Sequence, residues 1–148
     1  MEQTKRSQEG IEAMTTVVSS IFTNLNIGLL IYRLEVPDEP RMLRLVYVNE
    51  AASDYTGADL KHRVGKYILD AFPGLAGSDL PRTYADVAAG AKSVDLGSFE
   101  YPGDEAIEHS YYSVKAFPMP HDCVGIIFEN ITVRKQVQEL VKKETGRK

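Results

Sequence analysis

The spacing of apolar residues changes along the chain, and these changes predict where helices and strands lie. Between residues 8 and 25 apolar positions recur three and four residues apart, which predicts an amphipathic helix with a coiled-coil-like seam. The same spacing returns after residue 132 with charged residues between the apolar ones, so a second amphipathic helix is expected there. The seam of the first helix consists of Ile11, Met14, Val18, Ile21 and Leu25.

Five strands are predicted between these two helices. Runs of β-branched, aromatic and leucine residues are bounded by clusters of Pro, Gly and Asp, which favour turns. The first two runs flank the segment 36–40 and predict a hairpin, whereas the last three are separated by short turn segments and predict an antiparallel meander. The strands are expected at 27–34, 42–48, 93–101, 107–117 and 123–131.

The region from 49 to 80 carries little strand signal and predicts short helices and loops. A longer helix over 80–91 follows, because Ser78 or Asp79 can cap its start, Pro81 suits its first turn and Gly90 suits its end. This order of elements places five antiparallel strands in one sheet, with the helices on one face and an amphipathic helix at each end. We therefore predict an α+β architecture.

Two separated motifs resemble the signatures of the PAS family of sensory domains. The segment 47–57, YVNEAASDYTG, resembles the family's strand-to-helix segment, and 64–66, VGK, matches its usual continuation. The segment 129–135, ENITVRK, is similar to the Asp-Ile-Thr-Glu-Arg-Lys segment that joins the last PAS strand to an output helix. The resemblance implies a fold signature at Asn49, Gly57 and Gly65, and a signal relay formed by Asn130, Ile131, Thr132, Arg134 and Lys135.

The resemblance covers about 27–135 and implies three parts. A helix over 1–26 would serve dimerisation or linkage, a PAS-like core would occupy 27–132, and a signalling helix would begin within 133–148. In the core, an Asn at the end of a strand can bond backbone groups and so turn the chain into a helix. A glycine such as Gly57 suits the left-handed end of a helix.

The second motif departs from the family pattern at two positions. Asn130 stands where Asp is common, and Val133 stands where Glu is common. Asn130 or Thr132 can still cap the outgoing helix. Arg134 and Lys135 would then lie near a helix N-terminus, which disfavours positive charge by about a few tenths of a kcal/mol. We expect them to pair with acids of the sheet, such as Glu129.

Family members often sense flavin, haem, another chromophore or a small metabolite. A flavin that forms a cysteine adduct is disfavoured, because 67–70, YILD, lacks the cysteine of photosensory relatives. Haem is disfavoured because haem-binding relatives use a histidine of the longer helix, and 80–91 contains none. The single cysteine, Cys123, is expected to be a buried and inert strand residue. The cofactor stays unknown, and no metal site is assigned because His62, His109 and His121 are scattered and expected to be exposed.

Composition restricts the partners and the compartment. The 148 residues suit one domain, with 43% hydrophobic and 26% charged residues. The net charge is −4, and the dense basic cluster at the C-terminal end is expected to be a solvated helix end, so nucleic acid is not an expected partner. One cysteine excludes an intramolecular disulfide and fits a reducing compartment. A polar N-terminus and short apolar runs predict a cytoplasmic chain without membrane contact.

Catalytic signatures are absent from the sequence. There is no nucleophile elbow, phosphate-cradling glycine loop or metalloprotease helix. The carboxylate pair Asp104 and Glu105 lies in a Pro-Gly turn, where solvated turn chemistry is expected. Asp70 and Asp86 are expected to be surface charges. No catalytic residue is assigned, and an unrecognised enzyme is the weakest of the three functions considered.

The remaining candidate site is a cavity between the sheet and the helices. Aromatic residues at strand spacing pack a core whether or not a ligand binds, so core packing and a ligand site both stay open. Buried tyrosine hydroxyls would need partners, which makes a modest polar or aromatic ligand conceivable. The pocket candidates are Tyr67, Ile68, Tyr84, Phe99, Tyr112, Val114 and Ile127.

Two non-enzymatic functions are therefore compatible with the sequence. In the first, a small ligand shifts the sheet, and the junction at 130–132 passes the shift to the helix that follows and on to an output domain, for example of a histidine kinase or a diguanylate cyclase. In the second, the chain is a ligand-free module that dimerises its parent protein as a homodimer. A cavity of about a few hundred Å³ would favour the first function, and a solidly packed interior would favour the second.

Overall fold

The computed structural model describes residues 27–145, and before them residues 13, 16, 17, 20, 21, 24 and 25. Five antiparallel strands form one sheet, which confirms the predicted architecture. The strands are β1 (Gly28–Leu34), β2 (Leu43–Val48), β3 (Val94–Tyr101), β4 (Ser110–Met119) and β5 (Cys123–Asn130). Their order across the sheet is β2-β1-β5-β4-β3, so the last strand lies at the centre, beside the first.

Helices cover one face of this sheet. They are α1 (Glu50–Thr56), α2 (Ile68–Ala71) and α3 (Leu80–Ala88), with 3₁₀ turns at Pro40–Met42, Leu60–Arg63 and Pro73–Leu75. Alternate residues of each strand point to this face, so one core forms between sheet and helices. A last helix, α4 (Thr132–Thr145), follows β5 directly and contacts β4.

The last hairpin is displaced from its predicted position. The strand predicted at 107–117 begins at Ser110 and continues to Met119, because Ile107 belongs to a turn in which its carbonyl accepts from the amide of Asp104 at 2.8 Å. Pro118 lies in the strand, beyond the last residue that pairs with β3, so its missing N–H interrupts no ladder bond there. The turn narrows to residues 120–122, of which His121 and Asp122 have positive φ.

The N-terminal seam is only partly described. Ile11, Met14 and Val18 lie outside the described residues, whereas Ile21 and Leu25 are 49% and 62% exposed. The amide of Leu25 donates to the carbonyl of Ile21 at 3.0 Å, which is a helical hydrogen bond. Across the part of the chain that the structure describes, helices long and apolar enough to span a membrane are absent.

Candidate functional site

A cavity of about 60 Å³ lies between the sheet and the helices. Four of the seven pocket candidates line it, namely Tyr84 on α3, Phe99 on β3, and Tyr112 and Val114 on β4. Among the described residues that line it, none has a charged side chain. The other lining residues are Leu30, Tyr32, Thr56, Phe72, Leu75, Leu80, Tyr101, Ile107, Ile126 and Phe128.

Two other pocket candidates lie away from the cavity wall. The ring of Tyr67 packs under the guanidinium of Arg44, 4.4 Å from its centre, and its hydroxyl donates to Glu35 at 3.0 Å. Arg44 also pairs with Glu35, so this cluster joins the first hairpin to the start of α2. Ile68 is fully buried in the core but does not reach the cavity. The prediction that Tyr67 and Ile68 line the pocket is therefore wrong, because both belong to the packing around α2.

The seventh candidate, Ile127, points to the opposite face of the sheet. Side chains alternate along a strand, and Ile126 and Phe128 are the residues of β5 that face the cavity. Ile127 is half-buried on the other face. Both faces of β5 carry apolar residues, so hydrophobicity alone did not identify which residues of this strand face the cavity. The prediction that Ile127 lines the pocket is therefore wrong by one position along β5.

The tyrosines of the wall are buried and protonated. Tyr32 and Tyr84 stack with their ring centres 5.8 Å apart. Burial raises the pKa of both phenols, and in Tyr32 the neighbouring Tyr84 adds to this effect. Burial outweighs the opposing effect of Arg63 on the pKa of Tyr32, so both side chains stay neutral.

Tyr112 carries the unsatisfied polar atom of the wall. Its side chain is 6% exposed, and its hydroxyl has no hydrogen-bond partner among the described residues. Burial raises the pKa of Tyr112 overall, and the neighbouring hydroxyl of Ser110 offsets part of this effect. That hydroxyl donates its proton to the carbonyl of Glu108 at 3.1 Å and keeps its oxygen as an acceptor. An unpaired buried hydroxyl costs about 1–3 kcal/mol.

A hydrogen-bonded polar cluster includes Tyr101, which also lines the cavity. Arg63 donates to both carboxylate oxygens of Asp104, at 2.9 and 3.2 Å, and to the carbonyl of Ala71 at 2.7 Å. The hydroxyl of Tyr101 donates to Asp104 at 2.7 Å and accepts from the amide of Gly74 at 3.2 Å. The cluster joins the 3₁₀ turn before α2 to the loop between β3 and β4.

This cluster corrects the expectation that Asp104 is a solvated turn residue. The side chains of Asp104 and Arg63 are only 7% and 14% exposed. Burial would raise the pKa of Asp104, but the hydrogen bonds from Arg63, Tyr101 and two backbone amides outweigh it, so the pKa lies well below its usual range. The sequence placed Asp104 correctly in a turn, but Arg63 is 41 residues away and nothing local identified it as a partner.

The junction between β5 and α4 is built around Asn130. Its amide nitrogen donates to the carbonyl of Tyr55 at 3.0 Å, and its amide oxygen accepts from the backbone and the hydroxyl of Thr132, at 3.0 and 2.6 Å. The Thr132 hydroxyl in turn accepts from the amide of Tyr111 at 3.0 Å. Ile131 is buried beside them. Asn130 thus ties the end of α1 to the start of α4.

Arg134 and Lys135 do not form the expected ion pairs. Neither has a carboxylate within salt-bridge distance in the described part of the chain, and Glu129 forms no ion pair there either. The prediction of pairing with Glu129 is therefore wrong. Glu129 and Arg134 are exposed, and Lys135 instead contributes its backbone amide, which donates to Ile131 as the helix begins. Solvation of these charges suffices at this exposed helix start.

The three signature residues take the backbone roles expected of them. Asn49 is 2% exposed; its side chain accepts from the amides of Leu29 and Ala52 and donates to the carbonyl of Ile27, each at 2.9 Å. Gly57 ends α1 in the left-handed region, with φ of 73°. Gly65 has φ of 95° and its amide donates to the carbonyl of Leu45 at 2.7 Å, which holds this loop against β2.

The thiol and two of the imidazoles have environments that the described part of the chain defines. Burial raises the pKa of the half-buried Cys123 thiol, which keeps it protonated and weakly reactive. His62 and His109 are exposed and pair with Asp59 and Glu100, at 3.2 and 2.6 Å. Between residues 27 and 145, and at the few described positions before them, no three His, Cys, Asp or Glu side chains gather as metal ligands would.

The chain shares its fold with solved sensory domains. A domain of a sensor histidine kinase/response regulator from Geobacter sulfurreducens matches with a TM-score of 0.58 at 12% identity, over 80% of this chain and 96% of that one. A PAS domain of an HTR-like protein from Haloarcula marismortui matches with a TM-score of 0.52 at 15% identity, over 81% of this chain and 99% of that one.

An RNA-binding Light-Oxygen-Voltage receptor also matches, with a TM-score of 0.57 at 14% identity over 90% of this chain. The chain spans 39% of the length of that receptor. No family model matches the sequence, and no curated protein does. At these identities the likeness establishes a common fold.

Proposed function

We propose that this chain, which has the PAS fold that its motifs predicted, is a sensory module of a signal-transduction protein. In this proposal a small molecule enters the cavity, and the change is passed to α4 and from there to an output domain. Domains of similar fold occur in a sensor histidine kinase/response regulator, which supports an output domain of that kind. The lone protonated thiol suits a reducing compartment such as the cytoplasm.

The observation that carries the proposal is a continuous series of contacts from the cavity wall to α4. Tyr112 and Phe128 both line the cavity, and their rings meet edge to face with centres 5.5 Å apart. Phe128 also contacts the ring of Tyr55, at 6.4 Å. The carbonyl of Tyr55 accepts from Asn130, which binds Thr132 at the first turn of α4. A shift of Phe128 therefore reaches the helix through packed groups.

The size of the cavity defines how such a signal would start. Pockets for drug-sized ligands measure about 300–1,000 Å³. The cavity here, at about 60 Å³, is much smaller. A ligand of more than a few heavy atoms would have to displace wall side chains, and that displacement would itself be the conformational change. By itself the small volume favours the second function, a packed interaction module, and the sensory function requires this displacement.

Exposed apolar residues favour dimerisation as the mechanical setting of either function. Along α4 the residues Val133, Val137, Leu140 and Val141 are 72%, 52%, 63% and 59% exposed. Ile21 and Leu25 are exposed in the same way before β1. Apolar stripes at coiled-coil spacing are usually covered by a partner helix. We propose a homodimer in which these helices pair.

Occupancy of the cavity is tested by native mass spectrometry of the protein purified from its own host, together with a visible absorption spectrum. A bound small-molecule mass, or colour, supports the sensory module and identifies its signal. An empty and colourless dimer favours the interaction module.

The relay is tested by a distance measurement between two spin labels. The labels are placed at the exposed positions Lys115 on β4 and Gln138 on α4, in a Cys123→Ser background. Val114→Leu, which fills the cavity from its wall, should shift the distance. Ser113→Thr, on the opposite face of the same strand, is the matched control and should not. If the distance in Val114→Leu were the same as in Ser113→Thr and in the unmodified chain, the relay would be contradicted.

The dimer is tested by the mass of the protein in solution. The double variant Ile21→Asp and Leu25→Asp should dissociate the dimer at concentrations where the unmodified chain stays associated. Asn24→Asp adds a charge at a neighbouring exposed position and serves as the control. An unchanged mass of the double variant would count against this seam.

A further inference from the structure

The surface that the cavity wall presents is almost entirely carbon. Apart from Thr56, the described lining side chains are aliphatic or aromatic. The hydroxyl of Thr56 lies within hydrogen-bond distance of the carbonyl oxygens of Ala52 and Ser53, at 3.0 and 3.1 Å. That hydroxyl is therefore engaged by the backbone of its own helix, α1.

The phenol groups of the wall add little polar surface to the cavity. The hydroxyl of Tyr101 donates to Asp104 at 2.7 Å and accepts from the amide of Gly74 at 3.2 Å, so both of its roles are filled by the protein. The hydroxyl of Tyr112 has almost no accessible surface and has the hydroxyl of Ser110 as its neighbour. The wall therefore offers a ligand carbon to pack against and little to bond to.

Such a wall selects against charged and polar ligands. A hydroxyl, an amide or an ion that enters it loses hydrogen bonds to water without gaining equivalent bonds, which is unfavourable. An apolar molecule loses no such bonds, and the burial of its surface is favourable. Apolar cavities stay dry and can take up an apolar guest such as benzene or xenon. The expected ligand is therefore uncharged and has no hydrogen-bonding group.

The volume of the cavity restricts the size of this ligand. An apolar cavity of about 150 Å³ is known to hold benzene, so a space of about 60 Å³ has room for roughly two or three carbon atoms. A somewhat larger molecule has to push wall side chains outwards, because protein interiors are closely packed. Phe128 belongs to this wall, and its ring is the part of the wall that contacts Tyr55 on the route to α4.

We infer that the cavity takes a compact hydrocarbon-like molecule of about four carbon atoms, without charge or hydrogen-bonding groups, which enters by displacing wall side chains. This inference rests on the proposed sensory function and names the class of its signal. Contact with the carbon surface of the wall holds the molecule. The displacement that makes room for it is the change that the sensory function requires.

Two probes of matched shape test this inference. 2-Methylpropane and propan-2-ol differ only in a methyl group that replaces a hydroxyl. Both are titrated into the protein while NMR follows the methyl signals of Val114 and Ile126, which line the cavity, with those of Val46, exposed on β2, as a reference. 2-Methylpropane should bind at least about tenfold more tightly than propan-2-ol, a difference of about 1.4 kcal/mol. The signals of Val46 should not move.

Variants that change the volume of the cavity assign the binding to it. Ile126→Val removes a methylene group from the wall, so 2-methylpropane should bind severalfold more tightly. Val114→Leu fills the space and should weaken this binding severalfold. Ser113→Thr adds the same bulk on the opposite face of β4 and should leave it unchanged. A general loss of stability would not produce opposite effects in the two cavity variants.

Three results would overturn the inference. The first is that 2-methylpropane does not bind, or binds no more tightly than propan-2-ol. The second is a shift of the Val46 signals as large as that at the cavity wall, which would indicate non-specific association. The third is an affinity for 2-methylpropane that neither Ile126→Val nor Val114→Leu changes.

The same titration separates this inference from the proposed function. If 2-methylpropane binds with the expected preference but leaves the distance between the labels on β4 and α4 unchanged, the ligand class is supported and the relay is contradicted. If Val114→Leu changes that distance and the unmodified chain shows no preference for 2-methylpropane, the relay is supported and the ligand class is overturned.

Discussion

Two asparagines stand where a strand passes into a helix, and they use the same groups in different surroundings. Asn49 follows β2 and Asn130 is the last residue of β5, and each accepts from the backbone of the following helix and donates to a distant carbonyl. Asn49 is almost completely buried, and α1 beyond it packs on β1 and β5. Asn130 is half-buried, and most of α4 beyond it is exposed.

The difference shows that one chemical device serves two purposes, according to what else holds the helix. Around Asn49 the core fixes α1, so its hydrogen bonds contribute to the stability of the whole fold. Around Asn130 few other contacts hold α4, so its hydrogen bonds control the position of that helix. Elements with few buried contacts open at low free energy and are suited to regulation. We therefore expect equivalent changes at the two sites to have unequal effects.

The largest effect is expected for Asn49→Asp. The carboxylate would retain the acceptor for Ala52 but face the carbonyl of Ile27 without a donor, in a position that is 2% exposed. A buried and uncompensated charge of this kind costs about 3–5 kcal/mol. Chemical denaturation should show a loss of stability of this order. Asn49→Ala, which introduces no charge, should lose less, and a loss under about 1 kcal/mol in both variants would contradict a structural role.

Asp104→Asn should lower the stability of the whole fold without releasing α4. The amide can keep the bonds from the backbone amides of Ala106 and Ile107, but it leaves Arg63 without a counter-charge, which should destabilise the fold by about 3 kcal/mol. The position of α4 should not change. Asp38→Asn breaks the exposed pair with Arg82 and serves as the control, for which we expect no measurable loss.

The pH dependence of Asp104→Asn checks the same ion pair. The pKa of Asp104 is lowered in the folded chain, so its contribution to stability is complete above the unfolded value of about 3.9 and is lost as the pH falls below it. The difference in unfolding free energy between the unmodified chain and Asp104→Asn should therefore be constant near neutral pH and shrink in strong acid. A difference that grows on acidification would contradict the buried ion pair.

A smaller and local effect is expected for Asn130→Asp. The carboxylate would still accept from Thr132, but it would repel the carbonyl of Tyr55, to which Asn130 now donates. Overall stability should fall by no more than about 1 kcal/mol, since the site is half-buried. Hydrogen exchange of the Lys135 amide should accelerate, and the distance between labels on β4 and α4 should broaden.

Measurement of Asn130→Asp at low pH provides the matched control. A protonated carboxyl can donate to Tyr55, so α4 should dock again as the pH falls below the pKa of the new side chain. Recovery of slow exchange in acid would be expected for Asn130→Asp and not for Asn130→Ala. A variant that stays docked at neutral pH would show that the comparison between the two junctions is wrong.

The sequence predicted the fold well, because the features that determine it are local. Period-two and helical spacing located the elements, and the resemblance of 47–57 and 129–135 to PAS segments placed both asparagines at strand ends. The partners of these residues were harder to predict. Tyr55 lies 75 residues before Asn130 and contributes a backbone carbonyl, which no side-chain pattern reveals.

The cavity shows the same limit. Tyr84, Phe99, Tyr112 and Val114 were selected by spacing and do line it, but Ile127 was one residue out of phase on a strand with apolar residues on both faces. The pair of Arg63 and Asp104 depends on a turn geometry that neither segment encodes alone. What sequence spacing predicts is which face a residue occupies; which polar groups meet across the fold follows from tertiary packing.

The smallest effect is expected for Thr132→Val, which tests the helix side of the Asn130 junction. The change keeps the shape of the side chain but removes the acceptor for the Tyr111 amide and the donor to Asn130. Loss of such a capping hydroxyl costs about 1 kcal/mol. Because α4 has few other contacts, this loss should appear as faster exchange at the start of α4, with little change in melting temperature. Thr132→Ser retains the hydroxyl and should behave as the unmodified chain. If Thr132→Val lowered the melting temperature as strongly as Asn49→Ala, then α4 would be part of the folded core, and the contrast between a fixed and a releasable junction would fail.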